Sequence, residues 1–150
     1  MRTANRHCEV RASRQRGVGL IEVLVAVLVL CFGMLGLVAL QLTTLKQNQS
    51  ALERGLAVVH THSIVDAMRA DRNSAESGAF NIALDADPPA GGTFANTAVA
   101  AWRANLQQVF GDDATGSISC DGSLCTIDVQ WNDSLAGGSE AETISTTVQL

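Results

Sequence analysis

Basic residues all but disappear from the second half of this 150-residue chain: from Asn73 onward Arg103 stands alone against ten acidic residues. Such a balance repels a phosphate backbone, so the chain is not expected to bind nucleic acid. No histidine follows His62, which leaves that half without an imidazole base for a Ser or Cys nucleophile and excludes the common hydrolytic constellations. His60 and His62 are two apart and point to different sides of a helix, the wrong spacing for a shared metal. The acidic pairs Asp85 and Asp87, Asp112 and Asp113, and Glu140 and Glu142 lack the spacing of an EF-hand loop and read as solvated charge. No catalytic group, cofactor or metal is therefore expected, and the chain reads as a non-enzyme. Charged residues make up only 17% of the whole, against 47% apolar. At this length there is room for about one domain.

The charge that exists is sorted. Arg2, Arg6, Arg11, Arg14 and Arg16 face Glu9 alone in the first 17 residues, a net of +4, which leaves −9 for the remainder. Between the two lies an apolar run, residues 23–40, with 18 consecutive uncharged positions, and residues 18–21 prolong it beyond a single Glu22. About 20 residues at ~1.5 Å each span a bilayer's hydrocarbon core. The arginines before the run predict a cytoplasmic N-terminus and an exported remainder. A cleaved secretory signal fits less well, since its apolar region runs about 7 to 15 residues and ends at a small-residue site. Glu22 is an ionisable group in this run and costs on the order of 3 kcal/mol at the bilayer centre, less near its edge. Two readings account for it. Either it snorkels to the headgroups from an uncut anchor, or the chain is cut after Gly17 and Glu22, then fifth from the new end, pairs with the α-amino group of a neighbouring copy.

The segment RGVGLIEVLVAVLVL resembles the processing site of type IV prepilins and pseudopilins: a basic leader, a glycine, an apolar first residue and glutamate at the fifth. The resemblance implies cleavage between Gly17 and Val18 by prepilin peptidase, N-methylation of Val18, and neutralisation of a neighbour's amine by Glu22 in a filament. Val18 departs from the phenylalanine most common at that place. Gly33-Met34-Leu35-Gly36-Leu37, then Leu40-Gln41 and Leu45-Lys46, is similar to the GxLGLxxLQ stretch of the PilV minor pilins, the type IV pilus modification family. Residues 57–73, ending DAMRADRN, are similar to the helix end of that family. This implies a role in pilus assembly, in its initiation, and in adhesion and twitching motility. The partners implied are other minor and major pilins, the inner-membrane assembly platform and a tip adhesin. The place implied is the inner membrane, and the pilus surface after assembly. The I-class pseudopilins of type II secretion share the pattern and remain the near alternative. An uncleaved single-pass protein with a periplasmic binding head is the more distant one.

Proline is absent from residues 18–72, and one long helix of ~80 Å is predicted there. Residues 18–40 form its membrane or filament-core half after removal of leader 1–17, and residues 41–72 its periplasmic half. Leu45, Leu52, Leu56 and Val59, with Ser63 and Ala67, fall close to one face and are the expected seat of a head, Ile64 and Met68 lying off it. Gly33, Gly36 and Gly55 weaken the helix and permit close approach of a neighbour. A loop follows, with Asp87-Pro88-Pro89 and Gly91-Gly92 as turn signals. A short helix is predicted over residues 97–109, with Ala98, Ala101, Trp102, Leu106 and Val109 on its apolar side.

Strict alternation then marks strands: Cys125, Ile127, Val129 and Trp131 on one face of the first, Ile144, Thr146, Val148 and Leu150 on one face of the second. Ile118 and Cys120 belong to a partner strand, turning through residues 121–124. Cys120 and Cys125 fall on the same face across that turn, and in an oxidising compartment they are expected to bond. Their spacing is neither CxxC nor a four-ligand metal set. Cys8 belongs to the leader, and Cys31 acts as a small apolar residue. The predicted fold is α+β and pilin-like: a long N-terminal helix packed on a small antiparallel sheet, with one short extra helix. Residues 73–150 are too few to make a comfortable core alone, so the head needs the long helix.

Overall fold

The computed structural model describes Gly17 and residues 19–150, so residues 1–16 of the leader, Cys8 among them, and Val18 lie outside the described residues. Two compact units divide the chain, one ending at Leu40 and the other Gln41–Leu150. Helix α1 (Leu20–Ala70) contributes to both. It opens where Gly19 O accepts the N–H groups of Glu22 (2.9 Å) and Val23 (3.3 Å), and nothing but proline-free, helix-compatible sequence follows for 51 residues. In the first unit every large apolar side chain from Leu20 to Leu40 is exposed, between 49% and 91%. This helix is long and apolar enough to cross a membrane.

The second unit is α+β. After α1 come α2 (Arg72–Glu76), α3 (Phe94–Phe110), strands β1 (Thr115–Asp121) and β2 (Leu124–Trp131), a 3-10 turn at Ser134–Ala136, and β3 (Glu142–Gln149). The sheet is antiparallel in the order β1-β2-β3. The period-2 pattern sets its register, pairing Ile118 with Ile127 and Val129 with Ile144, so one face gathers apolar residues. Cys125, Ile127, Val129 and Trp131 are fully buried, as their alternation predicts.

Two predictions about helices need correction. The face of α1 that receives the head consists of Ala57, Thr61, Ile64, Val65 and Met68. Leu45, Leu52 and Val59 are 61% to 64% exposed, Ser63 is exposed, and Leu56 and Ala67 are half-buried at the margin. Large leucines misled the periodicity, because α1 carries apolar residues on more than one side. The sheet selects the side whose small Ala57 and Thr61 admit bulky Trp131 and Trp102 nearby. Thr61 satisfies its own hydroxyl by donating to Ala57 O at 2.9 Å, which lets a polar residue sit in the core.

Helix α3 starts three residues earlier than predicted, because Thr93 caps it: its hydroxyl accepts the Asn96 N–H at 3.2 Å. Its buried side is Ala95, Val99, Trp102 and Leu106, spaced four, three and four, with Arg103 beside them. Ala98 packs at the edge of the core, whereas Ala101 and Val109 are exposed.

Polar bonds fasten the head to the second half of α1 and to the start of α2. Trp102 Nε1 donates to His60 O (3.0 Å) and Trp131 Nε1 to Glu53 Oε2 (3.1 Å). Ser50 Oγ donates to Asp133 Oδ2 (2.6 Å), Arg54 pairs with Glu142 (2.6 Å), and Arg72 Nη2 donates to Leu150 O. Trp102 also fixes a glycine. A Cβ on Gly116 would stand 2.3 Å from the Trp102 ring and 3.0 Å from Asp128 O, so β1 passes under the indole only without a side chain. Gly116→Ala is expected to destabilise the head by about 1–3 kcal/mol. Its thermal midpoint, followed by near-ultraviolet circular dichroism, should fall by at least ~4 °C.

Candidate assembly site

The sequence places its candidate chemistry at the start of α1. Glu22 lies in the first helical turn, where a carboxylate is stabilised by the unpaired N–H groups and the helix dipole. It is exposed, and among the described residues no cation pairs with it. Val23, Ala26, Val27 and Leu30 continue its side of the helix and line a shallow apolar groove with it. Gly17 is exposed, and Val18, the expected site of cleavage and methylation, lies outside the described residues. One acid in an apolar, unburied stretch of helix can accept a cation presented by another molecule or reach the headgroups at a bilayer's edge. A Cβ at Gly33 or Gly36 meets nothing within 4 Å of this chain, so any packing reason for those glycines is intermolecular.

In the head the structure joins Cys120 to Cys125 in a disulfide across the β1–β2 hairpin, where the two are register partners with Cα atoms 4.0 Å apart. Cys125 is buried in the core and Cys120 at its rim. The remaining polar candidates are spread out. His60 meets Phe110 edge-on at 6.0 Å while His62 is exposed. Asp112, Asp113 and Glu140 are exposed, and Glu142 is taken by Arg54.

Arg103 is the buried residue of the head whose structural part sequence reasoning passed over. It is 5% exposed and donates only to backbone carbonyls: Nε and Nη2 to Gly116 O (3.0 and 2.6 Å), Nη1 to Ala86 O, and Nη2 to Ala83 O (2.5 Å) and Leu84 O (3.3 Å). Thr115 Oγ1 adds a bond to Leu84 O at 2.9 Å. Burial lowers the Arg103 guanidinium below its ordinary value, while Asp87 and then Asp85 act to raise it. It stays charged at any physiological pH. The planar five-donor fork thus pins the irregular segment 83–86 to α3 and β1. The available signal was positional: a lone cation between Trp102 and Leu106 on the apolar side of a helix needs buried acceptors. Arg103→Met is expected to take its donors from Gly116 O and Ala86 O and to leave Ala83 O and Leu84 O with only the Ala86 N–H and Thr115 Oγ1, at a cost of more than about 2 kcal/mol. Limited proteolysis should then cut within residues 83–87, where the native chain resists; equal resistance of both would remove Arg103 from this role.

A family model described as the prokaryotic N-terminal methylation motif matches residues 12–38. The match supports a type IV pilin-like protein, of prepilin or pseudopilin kind, and with the long apolar helix it points to membrane anchoring. No curated protein and no solved structure matches the chain significantly.

Proposed function

We propose that this chain is a minor pilin of the PilV type, a non-enzymatic subunit whose work is protein assembly. The methylation motif over residues 12–38, with Glu22 fifth from Val18, carries the reading. Prepilin peptidase cuts between Gly17 and Val18 and methylates Val18. Residues 18–40 hold the subunit in the inner membrane, N-terminus cytoplasmic and head periplasmic, until extraction into a filament. There Glu22 accepts the N-terminal ammonium of a neighbour. A charge pair in so apolar a setting is strongly directional in register, since a misplaced carboxylate has no solvent to fall back on. The head contacts other minor and major pilins, the assembly platform below and a tip adhesin above, and so contributes to pilus initiation, adhesion and twitching motility. The disulfide supports this topology, since such bonds form and persist in an oxidising compartment.

Glu22→Ala is expected to permit cleavage while lowering the chain's amount in sheared filaments by about tenfold or more, the loss of an unreplaced charge partner. Unchanged incorporation, measured by immunoblot of sheared against membrane fractions, would sink the pairing role. Intact mass of the chain in those fractions tests the whole reading. A species beginning at N-methylated Val18 in both establishes a pilus subunit. The same species confined to the membrane favours a type II secretion pseudopilin, and a chain retaining residues 1–17 overturns the proposal.

A further inference from the structure

The two edges of the sheet are treated differently. On β1, alternate residues turn their backbone groups outward, and each of these residues has at least one of them met. Gly116 O takes Arg103, Ile118 exchanges both bonds with Ile82 at 2.9 Å, and Cys120 N–H donates to Asn81 Oδ1 at 2.9 Å. These three residues pair with Val129, Ile127 and Cys125. By the alternation of an antiparallel ladder, those β2 residues therefore turn their own groups the other way, toward Ile144, Thr146 and Val148 of β3. It follows that Thr143, Ser145, Thr147 and Gln149 aim their N–H and C=O groups away from the sheet. Among the described residues, none of these four makes a backbone hydrogen bond beyond the strand ladder, and all four are exposed.

Proteins blunt such an edge with lysine, proline, a bulge or an inward charge. Thr143–Gln149 has none of these: it is uncharged, proline-free and paired to β2 without a break. We infer that the outer edge of β3 is a docking surface that takes an extended segment of a different protein as a fourth strand, neutral at its centre and basic at its flanks. Main-chain bonds to Thr143, Ser145 and Thr147 supply the attachment, as in other strand-addition complexes. Charge decides against a second copy. Arg54 and Arg72 at the two ends of β3 are each paired with an acid, Glu142 and Glu76, while the ten acids of residues 73–150 oppose the single, buried Arg103 there, and a like head would bring ten more. A lysine-flanked strand meets the same field favourably. The inference stands on the sheet alone and holds whether or not the chain is a pilin.

The test uses the full chain in detergent micelles at low salt, with the peptide Lys-Thr-Val-Thr-Val-Thr-Lys as probe and its glutamate-flanked counterpart as control. The lysine peptide is expected to bind saturably and slow amide hydrogen exchange at Ser145 and Thr147 by about tenfold or more, with weaker binding of the control. Ser145→Pro removes one outward donor while sparing the β2 ladder. It should weaken the peptide by about tenfold with the Cys120–Cys125 bond and circular dichroism unchanged. Unaltered exchange of the wild-type amides on adding peptide would overturn the inference without reference to any variant. So would equal binding by Ser145→Pro, or amides already protected in a chain that sediments as a dimer, which would make the second copy the occupant.

Discussion

Ala57, Thr61, Ile64, Val65 and Met68 form the face of α1 that, together with α3, keeps Cys125, Ile127, Val129 and Trp131 from water, and the head is arranged around that contact. Three strands and a 17-residue helix enclose too little apolar area to hold themselves together, so α1 serves as the spine of the core. The same helix begins with a stretch whose apolar side chains find no partner in the chain. Its sequence therefore answers to two different requirements, a core face near its end and an unburied apolar surface near its start. Among the described residues, Glu22 is the one charged group in that starting stretch.

The parts of this arrangement that sequence revealed are those with one dominant period. Alternation at residues 125–131 and 143–150 specified strands and their inward faces, because a one-residue slip would turn every apolar side chain outward. The disulfide followed from the short turn between Cys120 and Cys125. The head-facing side of α1 did not follow. Leu45, Leu52 and Val59 make a persuasive stripe, yet shape complementarity to two tryptophans favoured the side with alanine and threonine. The start of α3 was set by the hydroxyl of Thr93, a local bond that apolar spacing does not register. The N-terminal methylation motif was visible in one short window, because it is made of contiguous residues.

Arg103 shows what such reading misses. Counted as charge, it is a minor offset to ten acids; placed in the fold, it is an internal cation held by the carbonyls of Ala83, Leu84, Ala86 and Gly116. Segment 83–86 lacks a regular hydrogen-bond ladder, and buried carbonyls without donors are costly. One guanidinium supplies several donors at once and has the geometry to reach them all. Asp85 and Asp87 then balance the charge from the same loop, so the cation and its counter-charges are both covalently part of the head.

The fastenings of the head are strung out along α1 at Ser50, Glu53, Arg54 and His60, and continue at Arg72 where α2 begins. Arg54 grips the beginning of β3 and Arg72 the residue just past its end. From Arg54 to its end at Ala70 α1 covers about 24 Å at ~1.5 Å per residue, close to the ~27 Å of the strand at ~3.4 Å per residue. Helix and strand thus run side by side over a matched length. A tension applied along the helix axis reaches these attachments together, as in a lap joint loaded in shear, and does not open them one after another like a zip. The head is built to travel with its helix when the helix is pulled.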